Sequence, residues 1–203
     1  MYQSRFEDAY RYAEESLALY EARGQTRGVA MILHNLGTIE YTLERPGYGR
    51  ANFERALAMF RKVGDRATEA LCLSALAIAR LRGGDLPAAR QAMRECFERV
   101  AELEATREVV FALEALAELL GAENRAIDAA RLKGAAEAAR AALTLPRLPN
   151  EQLEVDRLVQ RLEAAIGAEE FARAEAAGRG LTLVAAVAEG AKIAASLVGS
   201  GSE

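Results

Sequence analysis

The segments LHNLG at residues 33–37, LSALA at residues 73–77 and LEALA at residues 113–117 repeat one pattern at a constant offset in the sequence. The same offset, without gaps, connects a column of small residues further along each copy, at Ala9, Gly49, Ala89 and Ala129. A fixed period of about 40 residues is typical of repeat architectures, in which each unit packs on its neighbours. The sequence therefore predicts an array of similar structural units.

Each repeat contains two stretches with the spacing of a helix face. In the first full repeat the second stretch has apolar or small residues at positions 49, 53, 56, 57 and 60. Alanine and leucine, both strong helix formers, dominate the apolar residues, and only four prolines are present. The predicted fold is all-α: an α-solenoid of antiparallel helical hairpins. Its helices are expected near residues 4–23, 26–44, 48–63, 66–83, 86–103, 106–121 and 124–143.

The repeat pattern stops at LPRLPN, residues 145–150, where two prolines mark a linker and Asn150 is expected to cap the next helix. Three further helices, near 150–166, 168–177 and 182–197, are out of phase with the repeat. Terminal units of solenoids are usually atypical because they cover the last hydrophobic face. We therefore divide the chain into helical repeats (1–144), a carboxy-terminal capping segment (145–198) and a flexible tail (199–203).

The repeat columns resemble those of tetratricopeptide repeats. The family pattern is Leu-Gly in the first helix, then a small residue, an aromatic residue and an alanine in the second; here it reads Leu36-Gly37, Gly49, Phe53 and Ala56. The period here, about 40 residues, is longer than the family's usual period of about 34 residues. The tryptophan-like position is leucine. The resemblance implies a long-helix variant of the family, with recognition on its concave face.

A second resemblance lies near the end of the chain. The segments ARLKGAAE (130–137), GAEEF (167–171), GRGLTL (178–183) and AAVA (185–188) look like the carboxy-terminal region of large bacterial transcriptional regulators that contain an ATPase domain. These regulators include LuxR-type and antibiotic-regulatory activators. The resemblance implies that the repeats form the regulatory part of such a protein. As an alternative it implies a domain that senses a small-molecule inducer in its groove.

Composition and motifs exclude several function classes. The net charge of -4 is spread without a basic stripe, so no direct nucleic-acid binding is expected. Glu189 and Lys192 interrupt the most apolar stretch, and the amino end is polar; we expect a soluble cytoplasmic protein without a membrane span. Phosphate-loop, zinc-protease and serine-hydrolase motifs are missing. No enzymatic activity, cofactor or metal is predicted.

The candidate partner-binding residues lie on the inner face of the first helix of each repeat. They are Met31, His34, Asn35, Thr38, Tyr41, Leu71, Ser74, Ile78, Phe111, Glu114 and Glu118. For His34 the alternative is a partly exposed helix histidine. For Glu114 and Glu118, which share a helix face, the alternative is a solvated surface. Cys72 and Cys96 fall in core columns and are predicted to be inert buried thiols.

The amino end carries all six tyrosines, the last of which is Tyr48. The first helix lacks a hairpin mate, so it is expected to leave an apolar surface lined by Phe6, Tyr10 and Tyr20. Such a surface rarely stays free in a monomer. The expected partner is therefore another protein or another domain of the same polypeptide, with a homodimer as the alternative.

Overall fold

The computed structural model describes residues 2–104 and 106–197. These residues form ten α-helices and no strand, which confirms the predicted all-α solenoid of helical hairpins. The helices are α1 (Tyr2–Ala22), α2 (Thr26–Thr42), α3 (Arg50–Val63), α4 (Arg66–Arg82), α5 (Leu86–Val100), α6 (Arg107–Ala122), α7 (Ala126–Ala142), α8 (Pro149–Ile166), α9 (Ala168–Arg179) and α10 (Leu183–Ser196). The predicted flexible tail, 199–203, lies outside the described residues.

Turns separate the repeat helices, and several of these helices end at a glycine or begin at a capping aspartate. Gly64 ends α3 in the left-handed conformation, at φ 70°, which a residue without a Cβ adopts at little cost. The next residue, Asp65, accepts a hydrogen bond from the backbone N–H of Thr68 at 3.2 Å and so caps α4. Asp85 caps α5 in the same way, through the N–H of Ala88 at 3.1 Å. These local signals mark the connection between the first two hairpins, at Gly64 and Asp65, and the turn within the α4–α5 hairpin, at Asp85.

Beyond α1, the small-residue column and a second one, at positions 56, 96 and 136, are buried at the helix crossings. Ala56 in α3, Ala89 in α5 and Ala129 in α7 are all 0% exposed. Large side chains such as Phe60 and Phe97 fill the space beside them and are also buried. The three hairpins, α2–α3, α4–α5 and α6–α7, therefore share one continuous hydrophobic core.

The capping segment folds back on the repeats, and its buried residues belong to the same core. Helix α9 packs closely on α7: a Cβ added to Gly178 would lie 1.8 Å from the carbonyl oxygen of Arg131. Helix α10 returns to α5, where Gly190 faces the ring of Phe97. Helix α8 contacts α6 and α7 and contributes to the concave side of the array.

Two expectations differ from the structure. Helix α8 begins at Pro149, and its first turn is capped by Glu151, whose carboxylate accepts from the N–H of Leu148 at 3.0 Å. Asn150 therefore lies inside the first turn and does not cap it. Its side-chain oxygen is buried without a hydrogen-bond partner among the described residues.

Of the three aromatic residues expected to line a free surface at the amino end, Phe6 and Tyr10 pack within their own chain, whereas Tyr20 is 37% exposed. The hydroxyl of Tyr10 donates to Glu40 at 3.1 Å, and the guanidinium of Arg45 lies 3.9 Å from its ring centre. The ring of Tyr20 covers Gly28, and Phe6 lines the concave groove. Tyr12 and Leu19 of the same helix are 59% and 61% exposed. The exposed apolar surface at the amino end therefore involves other residues than expected, and self-association through it stays a prediction.

Candidate functional site: the concave groove

A cavity of about 350 Å³ lies on the concave side of the array. The inner faces of α2, α4 and α6 form its floor. Phe6 of α1 lies in its wall, and linker residues 147 and 148 with the first half of α8 line it as well. The groove is thus partly covered by a helix of its own chain. A volume of this size falls within the range of small-molecule sites.

Nine of the eleven predicted groove residues line this cavity. They are His34, Thr38, Tyr41, Leu71, Ser74, Ile78, Phe111, Glu114 and Glu118. Most of them belong to equivalent positions of successive repeats, such as His34, Ser74 and Glu114, so the repeat brings the same face of each first helix to one place. Met31 packs instead against the core and Asn35 is exposed; neither lines the cavity. A role of these residues in binding stays a prediction.

The floor of the cavity is apolar. Phe53, Leu71 and Ile78 lie near its α2 and α4 side, while Phe111 and Leu158 come from α6 and α8. Two hydroxyl groups on the floor already donate hydrogen bonds within their own helices: Ser74 to the carbonyl of Leu71 and Thr38 to that of His34. Contact with an apolar ligand would therefore remove few unpaired polar groups from water.

His34 lies in the wall of the cavity, with its ring edge-on to Phe53 at a centroid distance of 5.4 Å. Burial lowers the pKa of its imidazole to about 4, and the positive charge of Arg107 acts in the same direction, against a hydrogen bond with Asn35. The imidazole is thus neutral at physiological pH. Its Nε2 atom is buried and has no hydrogen-bond partner among the described residues. His34 as a whole is partly exposed, as the alternative of a helix histidine has it, while its Nε2 atom is buried.

The rim of the cavity consists of ion pairs. Glu114 accepts from Nε and Nη2 of Arg140, both at 2.9 Å, and from Arg147 at 2.6 Å. Glu118 accepts from Arg161 at 2.8 Å and lies 3.6 Å from Arg82. The two glutamates therefore do not form a solvated helix face. Glu114 pairs with Arg140 of α7 and Arg147 of the linker, and Glu118 pairs with Arg82 of α4 and Arg161 of α8.

The α2 end of the cavity contains a polar cluster around Tyr41. Burial raises the pKa of Tyr41 to about 12; the carboxylates of Glu154 and Glu118 add to this effect, and Arg82 opposes it. Arg82 forms an ion pair with Glu154 of α8. Asn150, whose side-chain oxygen is unpaired, lines the same end. This cluster connects α8 to α2 and α4 across the groove.

Sequence reasoning missed the part of the site that the capping segment supplies. Arg147, Asn150, Glu151, Glu154 and Val155 line the cavity, yet they lie outside the repeat. No repeat column predicts them, because their position depends on how α8 packs. Arg82 and Lys133 were missed for another reason, since they occupy the end of α4 and the second helix of a repeat. The mixture of acidic and basic residues between 147 and 161 was the available signal.

The remaining candidate groups are structural. Cys72 and Cys96 are buried, and burial raises the pKa of each thiol to about 12, as expected for inert core thiols. Within residues 2–104 and 106–197, no cluster of His, Cys, Asp or Glu is arranged to hold a metal ion. In the same part of the chain, no helix has both the length and the apolar character that crossing a membrane requires.

Comparison with known proteins identifies the repeat type. Residues 29–102 match the family model described as tetratricopeptide repeat. The match covers α2 to α5, that is, the first two full hairpins. Comparison with curated proteins and with solved structures gave no significant match. The chain therefore contains a tetratricopeptide-like region, and repeats of this kind generally mediate protein–protein interactions and are generally non-catalytic.

Proposed function

We propose that the chain is a non-catalytic recognition module whose concave groove holds a segment of a protein partner or of another domain of the same polypeptide. The observation that supports this function is the groove itself, in which α2, α4 and α6 present equivalent faces to one cavity. Concave surfaces of this kind are the usual binding surfaces of helical-repeat proteins. The predicted groove residues are the contact residues of this proposal.

A peptide-display experiment tests the groove as the recognition surface. A random peptide library is selected on the chain, and the peptides obtained are measured against Ile78→Arg, which places a charge on the cavity floor. Ile127→Arg is the matched control, because Ile127 is 51% exposed on α7 and does not line the cavity. We expect at least a tenfold loss of affinity for Ile78→Arg alone. Equal affinities for both variants, with unchanged circular dichroism, would contradict the proposal.

We further propose that the module is the regulatory part of a larger cytoplasmic bacterial transcriptional regulator of the LuxR-type or antibiotic-regulatory class. The support is the resemblance of residues 130–188 to the carboxy-terminal region of those proteins. By this resemblance alone, the partner would be the ATPase or DNA-binding domain of the same polypeptide. The reading frame that encodes the chain provides the test: a frame without such a domain would contradict this assignment.

A second function, the sensing of a small molecule, is favoured by the position of α8. Residues of α8 and of the preceding linker cover part of the groove and leave a cavity of about 350 Å³. An uncovered groove would suit an extended peptide, whereas a cavity of this volume suits a small ligand. In this function, the ligand would change how α8 packs and so alter the surface offered to a neighbouring domain.

A further inference from the structure

Three residues that line the cavity have a buried polar atom without a hydrogen-bond partner among the described residues: Nε2 of His34, Nε of Arg147 and Oδ1 of Asn150. Nε2 of His34 forms no hydrogen bond with the described residues, although the ring lines the cavity. A buried polar atom without a hydrogen-bond partner destabilises the folded chain. A ligand group that forms a hydrogen bond with it removes this penalty, which favours binding. Because Nε2 is buried, a hydrogen bond with a ligand requires the ring to turn about its Cβ–Cγ bond, a torsion that is broad in histidine.

The charges around the cavity are already paired. Every acidic side chain that lines it lies within 4 Å of an arginine or lysine nitrogen. These acidic residues are Glu114, Glu118, Glu137, Glu151 and Glu154. The basic residues that line it, Arg82, Lys133 and Arg147, are bound in the same network. A charged ligand would have to break such a pair, which makes charge an obstacle to binding.

The apolar floor favours a ligand whose main part, the part that contacts the floor, is apolar. Phe53, Leu71, Ile78 and Phe111 present carbon surface to the cavity, and the hydroxyl groups of Ser74 and Thr38 already donate to backbone carbonyls. Burial of an apolar body against this floor removes carbon surface from water on both sides. A polar body would gain no comparable contacts there.

We propose that the cavity binds a small neutral molecule with an aromatic or aliphatic body, and that Nε2 of His34 forms a hydrogen bond with its polar group. The inference rests on the second candidate function, small-molecule sensing, and specifies its ligand class. A hydroxyl group is the simplest match, because it donates to a neutral imidazole nitrogen or accepts from one, whichever tautomer is present. Asn150, with an unpaired oxygen on α8, offers a second contact to a ligand that reaches it.

Three probes of similar shape test this inference: 2-naphthol, naphthalene and 2-naphthoate, titrated calorimetrically at pH 7.5. We expect 2-naphthol to bind more tightly than naphthalene by roughly threefold to tenfold, the usual range for one hydrogen bond. The preference should disappear in His34→Phe, which keeps an aromatic ring but removes both nitrogens. Because the chain has one histidine, its imidazole ¹⁵N signals give an independent readout and should shift further on saturation with 2-naphthol than with naphthalene.

Ile78→Arg locates the binding, since it should abolish the affinity for 2-naphthol while Ile127→Arg leaves it unchanged. Equal affinities of 2-naphthol and naphthalene would overturn the inference, and so would a preference that survives in His34→Phe. Tightest binding of 2-naphthoate would show a charged ligand class and overturn it as well. Peptides that bind in the display experiment, without binding of 2-naphthol, would assign the cavity to a protein segment. In that case this inference fails and the recognition function stands.

Discussion

His34 gives the clearest prediction at the scale of a single residue. Burial lowers its pKa from 6.5 to about 4. Between these pH values the unfolded chain takes up a proton that the folded chain does not, so stability is lost as the pH falls from 7 to 4. The loss attributable to His34 is about 3 kcal/mol, at 1.36 kcal/mol per pKa unit. Above pH 7 the residue makes no pH-dependent contribution.

Two measurements check this expectation. An NMR titration of the single imidazole gives its pKa in the folded chain directly. Urea unfolding at pH 7 and pH 4 gives the free energy of unfolding, and the difference between the native chain and His34→Phe isolates the histidine from the carboxylates, which titrate in the same range. A folded pKa near 6.5, or the same acid loss in both chains, would show that the imidazole is solvated.

Lys133 is a buried residue whose interaction partners could not be predicted from the sequence. The repeat phase places it in the column of Phe53 and Met93, two buried apolar residues, so a buried lysine contradicts the pattern. In the structure its Nζ lies 2.5 Å from Glu175 of α9 and 6.0 Å from the ring centre of Phe171. Lys133 is thus buried like the two apolar residues of its column, although it carries a charge. The partners could not be predicted from a repeat period, because both belong to the capping segment.

At the scale of the helices, the small-residue columns predict which substitutions push a hairpin apart. Ala56→Leu and Ala89→Leu should each lower the free energy of unfolding by about 1–3 kcal/mol, because both positions are 0% exposed at helix crossings. Ala58→Leu is the matched control, since Ala58 lies in the same helix as Ala56 and is exposed. Thermal or urea unfolding measures all three. Equal stabilities would mean that these columns do not form the crossings.

The crossing of α7 and α9 allows a comparison between two neighbouring glycines. A Cβ at position 178 would lie 1.8 Å from a backbone oxygen of α7, so Gly178→Ala must separate the helices and should cost about 1–3 kcal/mol. A Cβ at position 180 meets no atom closer than 3.6 Å, at an ordinary φ of -78°. Gly180→Ala should therefore be neutral or slightly stabilising. Urea unfolding that gave equal losses for both variants would contradict this packing.

The helices of the repeats were predicted more completely than those of the capping segment. The repeat columns, with Gly64 and Asp65 at a helix boundary, locate α2 to α7 to within a few residues. The positions of α8, α9 and α10 along the chain were also predicted. Their packing was not, because Gly178, Gly190 and Leu158 meet partners that no local spacing identifies. For this reason the groove floor could be predicted and the part of the site on α8 could not.

At the scale of the whole molecule, the repeats and the capping segment share one hydrophobic core that extends from Val29 to Leu197. The boundary between residues 144 and 145 is thus a change of sequence pattern, and its status as a domain boundary stays a prediction. A solenoid whose units contact only their neighbours can lose cooperativity along its length. Here α10 returns to α5, a contact that connects the end of the chain to its middle.

We therefore expect the chain to unfold in one transition, and its composition supplies two independent probes. All six tyrosines lie between Tyr2 and Tyr48 and tryptophan is absent, so intrinsic fluorescence reports the amino end alone, while circular dichroism reports every helix.

Ile193→Ala removes buried carbon from α10 and should cost about 2–5 kcal/mol. Because the core is shared, the urea midpoint of this variant should fall by the same amount whether fluorescence or circular dichroism measures it. Val184→Ala, at a position of α10 that is 81% exposed, should leave both midpoints unchanged. A midpoint that falls by circular dichroism but not by fluorescence would show that the capping segment unfolds independently, and residue 145 would then begin a separate domain.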